Sequence, residues 1–206
     1  AGAGANLEEA RRPGVSEIKG RKVALLAYSL TFPEDFHATD ERPGNPFGHL
    51  SHVRKDVAKL RKEGDIVMVS FHWGAELSQG IKPYQIELGR ETIKAGADMV
   101  FGHHPHILQG MEIYRGRPIF YSLGNFVFGS YSPNARRSVL ARVVVGGDGS
   151  VASIQAVPLL VDNFRVDFQT QVAAGVLGES ILRELEALKR HLHDHEAPSR
   201  GPALER

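Results

Sequence analysis

Three imidazoles fall within four positions at Gly102-His103-His104-Pro105-His106, directly after the apolar run Met99-Val100-Phe101. Such a cluster needs many hydrogen-bond partners if it only serves the fold, and far fewer if it binds metal. A second apolar run, Ile66-Val67-Met68-Val69-Ser70-Phe71, ends in His72-Trp73-Gly74-Ala75-Glu76. His72 is therefore a further candidate ligand. If the segment after Gly102 is extended, residues two apart share a face, so His104 and His106 would hold one or two adjacent metals. His103, also counted as a metal candidate, would face away from that pair. Glu76 reads equally as a group that orients a ligand or accepts a proton, and as a surface carboxylate. Asn125, in the turn Ser122-Leu123-Gly124-Asn125-Phe126, reads as an amide that coordinates metal or holds phosphate, or simply as a turn former. Trp73, Tyr121 and Phe126 read as packing residues. His191, His193 and His195 sit at the end of a helical pattern, where only His191 and His195 would share a face, and a solvated surface explains them more simply.

The chain has no cysteine, which excludes thiolate zinc sites, iron-sulfur clusters and thiol nucleophiles. Any metal site must use imidazole, carboxylate and amide ligands, a set that suits manganese, iron or zinc. With 206 residues, 42% hydrophobic and 24% charged, the chain is long and apolar enough for one globular domain. That domain is expected over residues 1–195, with a fraying tail over 196–206. A net charge of +1, with basic and acidic residues intermixed, gives no footprint for a nucleic acid. No apolar run approaches the ~20 residues that cross a bilayer. Neither a nucleophile elbow, a P-loop nor a dinucleotide fingerprint is present.

The elements that must position these residues follow from periodicity. Asn6 caps a short helix that Pro13-Gly14 ends. Lys22 to Tyr28 reads as a buried strand. Leu50, Val53, Val57 and Leu60 mark an amphipathic helix between Gly48 and Gly64. Strand 65–71, a helix from Pro83 to about Lys94 stopped by Gly96, and strand 98–101 form a right-handed βαβ unit. Both strands then end on one edge of a parallel sheet, the edge where open α/β sheets place their ligands. Gly102 is expected to let the backbone turn there. Arg117 to Tyr121 reads as a further strand. Val139–Val145 and Val151–Leu160 flank a Gly-rich hairpin turn, Asp148 and Asp162 read as turn residues, and Ile181 to His191 carries the apolar stripe of a terminal helix.

The series His72-Trp73-Gly74-x-Glu76, Gly-Ala-Asp-x-Val-x-Gly-His-His-Pro-His over 96–106, Gln109 and Tyr121-Ser122-Leu123-Gly124-Asn125-Phe126 resembles the bacterial poly-γ-glutamate capsule-synthesis proteins of the CapA type, similar in fold to calcineurin-like metallophosphoesterases. The resemblance runs from Asn6 to about Phe128. It implies an α/β fold, part of a four-layer α/β/β/α sandwich with parallel and antiparallel strands. It also implies a dinuclear site in which His72, His104 and His106 match ligands and His103 falls where the family varies. In such sites two metals clamp a phosphoryl group and activate a hydroxide for in-line attack.

The family's strand ending in Gly-Asp and its Asn-His-x-x-x-Asp segment do not occur ahead of Asn6. The expectation is accordingly that the natural protein extends upstream, that this chain holds half of the metal site, and that catalysis needs the other half. The upstream part would also carry any signal or anchor for an envelope location. The resemblance implies either a metal-dependent hydrolase acting on an envelope polymer or phosphorylated substrate, with Glu76 or Asn125 as the catalytic groups that position substrate, or a non-catalytic partner of poly-γ-glutamate synthase components in synthesis or export.

Overall fold

The computed structural model describes residues 1–63 and 66–194. Two sheets organise them. The larger has the order β1-β2-β3-β4-β6-β5 and the smaller β7-β8-β9. Strands β2 (Arg21–Ser29), β3 (Ile66–His72), β4 (Met99–His103) and β6 (Arg117–Phe120) run parallel. β1 (Gly14–Ile18) and β5 (Met111–Tyr114) pair antiparallel at the two edges. The expected α/β class with parallel and antiparallel strands is borne out.

Helices α2 (Leu50–Lys62) and α3 (Pro83–Lys94) supply the crossovers. Val53, Val57 and Leu60 of α2 and Leu88 and Ile93 of α3 are buried in one cluster with Val67, Val69, Phe71, Val100 and Ile119 of the strands. Burying such side chains is worth about 1.5–3 kcal/mol each. The opposite face of α2 is charged, which explains its periodicity. Pro83 opens α3, where its missing N–H costs nothing, and Gly96 follows with φ at +117°, a conformation that L side chains resist. Ahead of these, α1 (Leu7–Ala10) is capped by Asn6, whose side chain accepts from the Glu9 N–H at 3.0 Å. The Arg11 guanidinium then pairs with Asp56 at 2.7 Å, tying this segment to α2.

The hairpin β7 (Arg137–Val145) and β8 (Val151–Leu160), the short helix α4 (Asn163–Val166), β9 (Gln171–Val172) and the helix α5 (Gly175–Asp194) complete the chain. Val139, Ile181 and Leu185 form a second buried cluster between α5 and the smaller sheet. Asp162 caps α4 and Asp148 accepts from Ser150 in the hairpin turn, as their turn contexts suggest. The terminal helix begins six residues before the apolar stripe does. Asp65, His195 and the tail 196–206 lie outside the described residues, as do the side chains of His191 and His193.

Two expectations are corrected. Phe126, read as core, is 59% exposed, because Gly124 at φ +78° turns the chain outward after β6. Gly102 is not a turn residue. It lies inside β4, and a Cβ there would sit 2.0 Å from the Tyr121 carbonyl oxygen and 2.4 Å from Trp73 Nε1. Its lack of a side chain lets Trp73 lie against the sheet.

Candidate metal centre

Parallel register brings the strand tips together. Ser29 pairs with His72 across β2 and β3, and His72 with His103 across β3 and β4. Behind them, Trp73 is fully buried, stacked on Phe71 at 4.7 Å and on Tyr121 at 5.9 Å, and its indole N–H donates to the Tyr121 carbonyl at 2.9 Å. Deeper still, Glu112 is buried between Arg90, at 2.7 Å, and the Tyr121 hydroxyl, which donates to it at 2.6 Å. Burial and the neighbouring carboxylate push the Tyr121 phenol above its ordinary value, so it remains a donor. The floor of the site is thus fixed by stacked rings and satisfied polar groups.

On this floor Glu76, His104 and His106 place ligand-capable atoms within 4.8 Å of one another. Two imidazoles and a carboxylate are a donor set that would hold a divalent ion. The segment carrying the histidines is not extended as the spacing suggested. His104 has φ +99° and His106 φ +61° around a buried Pro105, so the two rings, 6.1 Å apart, meet through a bend rather than a pleat. Non-glycine residues held at positive φ cost about 1–3 kcal/mol each and concentrate at functional sites.

His106 Nδ1 lies 2.7 Å from Asn125 Oδ1. An amide oxygen only accepts, so Nδ1 is the donor of this bond, and the neutral imidazole with that tautomer would present Nε2 to a metal. Asn125 is therefore placed to orient a ligand. It is 7% exposed, and its Nδ2 has no partner among the described residues. Phe128 covers the other side of His106, with ring centroids 4.4 Å apart.

His72 stands beside the cluster, exposed, its ring 4.7 Å from that of His104. Partial desolvation, then the neighbouring imidazoles of His104, His103 and His106, lower its pKa to about 4, against the opposing pull of Glu76. Desolvation also lowers His104, opposed by Glu76 and assisted by His106, and lowers His103. Neutral imidazole is the form that binds metal. His103 is not a member of the Glu76, His104 and His106 group, and its carbonyl accepts from the Trp73 N–H at 3.0 Å.

The loop bearing Glu76 is held by groups that periodicity does not disclose. The Gly74 N–H donates to the Tyr84 hydroxyl at 2.7 Å, and the Leu77 N–H to the Pro105 carbonyl at 2.9 Å. Gln85 and Gln109 are fully buried and bonded to each other at 3.2 Å. Gln109 also donates to the Ser78 carbonyl at 2.8 Å, and Gln85 accepts from the Lys82 N–H at 2.9 Å. Gln109 belongs to the motif series, but the role of Gln85 needed the fold.

These features define a mixed α/β protein with a candidate imidazole-carboxylate metal site at the carboxyl edge of its parallel strands. Residues 1–130 match the family model described as bacterial capsule synthesis protein PGA_cap, and the chain belongs to that family. It is 35% identical over 162 residues to the capsule biosynthesis protein CapA of Bacillus anthracis, covering 77% of this chain and 39% of that protein. It is 34% identical over 150 residues to the PGA biosynthesis protein CapA of Bacillus subtilis (strain 168), covering 72% and 40% respectively. The chain thus spans about two fifths of the length of these relatives. A solved 5'-nucleotidase precursor from Thermus thermophilus is similar over 91% of this chain and 37% of its own, at 14% identity and a TM-score of 0.48. No helix among the described residues is long and apolar enough to cross a membrane.

Proposed function

We propose that this chain supplies the histidine-rich part of a metallophosphoesterase-type centre in a capsule polymer synthesis protein, and that the complete protein is a metal-dependent hydrolase. The observation that carries this reading is the convergence of Glu76, His104 and His106 within 4.8 Å at adjacent strand ends. Two imidazoles and a carboxylate fit a divalent manganese, iron or zinc ion, and lowered imidazole pKa values keep His72 and His104 in the ligating form at neutral pH. Bound metal would supply charge neutralisation and Lewis acidity toward a phosphoryl oxygen. The chain's own residues do the rest. Asn125 fixes His106 and offers its unpaired Nδ2 to an anionic oxygen. His72 adds a donor beside His104, and a second metal would draw on it and on ligands from elsewhere in the complete protein. The polymer link is supported by the names of the relatives, and an envelope location is proposed with it.

In the full-length protein, His106→Ala should abolish metal-dependent phosphoesterase activity and polymer output while circular dichroism stays unchanged. Full polymer output from a folded His106→Ala protein would contradict the enzymatic reading and favour a non-catalytic role in the synthesis or export complex.

A further inference from the structure

A cavity of about 600 Å³ opens directly on His104, walled by Leu30, Phe32, Phe47, Gly74 and Tyr84. Among the described residues its lining contains no Lys, Arg, Asp or Glu, and its polar side chains besides His104 are the hydroxyls of Thr31 and Tyr84. The Tyr84 hydroxyl accepts from the Gly74 N–H at 2.7 Å and keeps its own O–H as a donor beside the ring. Phe32 is 73% exposed and Tyr84 39%, values that mark large apolar groups held at a surface rather than packed away. Phe32 and Phe47 also wall a second cavity of about 430 Å³, whose lining includes Glu34 and Arg42 and the imidazoles of His37, His49 and His52.

We infer that this aromatic cavity is a substrate subsite, and that it takes a flat, uncharged ring attached to the phosphoryl group held at His104. The phosphoryl end of this inference rests on the metallophosphoesterase reading above; the ring end rests on the cavity alone. Among the described residues, the lining next to His104 offers a chain of carboxylates no cation to offset its desolvation, Arg42 lying in the second cavity and paired with Asp35, whereas a ring gains apolar burial and stacking against Phe32, Phe47 and Tyr84. The group next to the reacting phosphate is then aryl or nucleobase in character, not a run of glutamates.

Fluorescence anisotropy with 1-naphthyl phosphate, competed by glycerol phosphate and by adenosine monophosphate, tests the subsite on the manganese-loaded chain. Naphthyl phosphate should bind about tenfold or more tighter than glycerol phosphate. Phe32→Ala should erase that preference while leaving manganese and glycerol phosphate affinities unchanged. Tyr84→Phe, which keeps the ring, should retain it. Competition by adenosine monophosphate identifies a nucleobase as an accepted ring, and its failure narrows the class to simple aryl groups. 1-Naphthol without metal separates the two readings. If naphthol binds in a Phe32-dependent way while no phosphate binds, the subsite stands and the phosphoesterase reading fails. Equal affinity for naphthyl and glycerol phosphates, no effect of Phe32→Ala, or stronger Phe32-independent binding of a γ-glutamate oligomer would overturn the inference.

Discussion

Replacing Gly102 with alanine adds one methyl group at the point where the site meets its floor. Gly102 does not have the positive φ that disfavours side chains, so the substitution tests space alone. The new carbon would lie 2.0 Å from the Tyr121 carbonyl oxygen, 2.7 Å from its carbonyl carbon and 2.4 Å from Trp73 Nε1, all in a buried region. Neither neighbour has room to yield, since Trp73 is fully buried between Phe71 and Tyr121. Overpacking of this kind costs about 1–3 kcal/mol. Parting the Trp73 N–H from the Tyr121 carbonyl leaves buried groups unpaired, adding about 1–3 kcal/mol. The expected loss of about 2–6 kcal/mol is a large share of the roughly 5–15 kcal/mol that holds a domain together. Urea denaturation of the parent and the variant measures it. Gly147→Ala, where a Cβ meets nothing within 4 Å, is the control and should change stability by less than about 0.5 kcal/mol. A Gly102→Ala protein within about 1 kcal/mol of the parent would refute the claim that this strand contact supports the site.

Asn125→Ala removes the bond to His106 and should weaken manganese or zinc affinity by about 10–100-fold with little change in fold, as read by calorimetric titration. His103→Ala should leave metal affinity within about twofold, whereas His104→Ala should abolish tight binding. Gln109→Leu strands the Gln85 amide and should cost about 1–3 kcal/mol, with faster hydrogen exchange at Ser78 to Gly80. Because His72 and His104 have lowered pKa values, they bind few protons at neutral pH, and metal affinity should be nearly flat from about pH 7 to 8. For His72 the folded value lies below the unfolded one, so the unfolded state binds more protons as pH falls, and its contribution to stability is lost from about pH 6.5 toward about 4. Calorimetry across pH reads the first effect and urea denaturation the second; affinity that keeps rising steeply above about pH 7 would contradict the assigned protonation.

Much of the site was legible in the sequence because strand periodicity and imidazole spacing are local signals. The apolar runs before His72 and His103 located two strand tips, and the helix between Pro83 and Lys94 made them parallel neighbours. The edge strands were not legible. β1 is exposed along its whole length and β5 has four residues, so neither shows the alternation that marks a half-buried strand. The bend at His104 and His106 was hidden because positive φ at non-glycine residues follows from tertiary packing. Asn125 could be flagged as a turn amide, but its partner lies 19 positions away. The outward course of Phe126 was missed because an aromatic residue after a strand ordinarily packs inward.

The most direct measurement is anomalous diffraction at the manganese edge from manganese-soaked crystals of the chain. A peak is expected within about 2.0–2.3 Å of a nitrogen of His104, a nitrogen of His106 and an oxygen of Glu76. A well-ordered chain that shows no peak there under saturating manganese, or a peak only at other residues, would contradict the assignment of these three side chains as ligands.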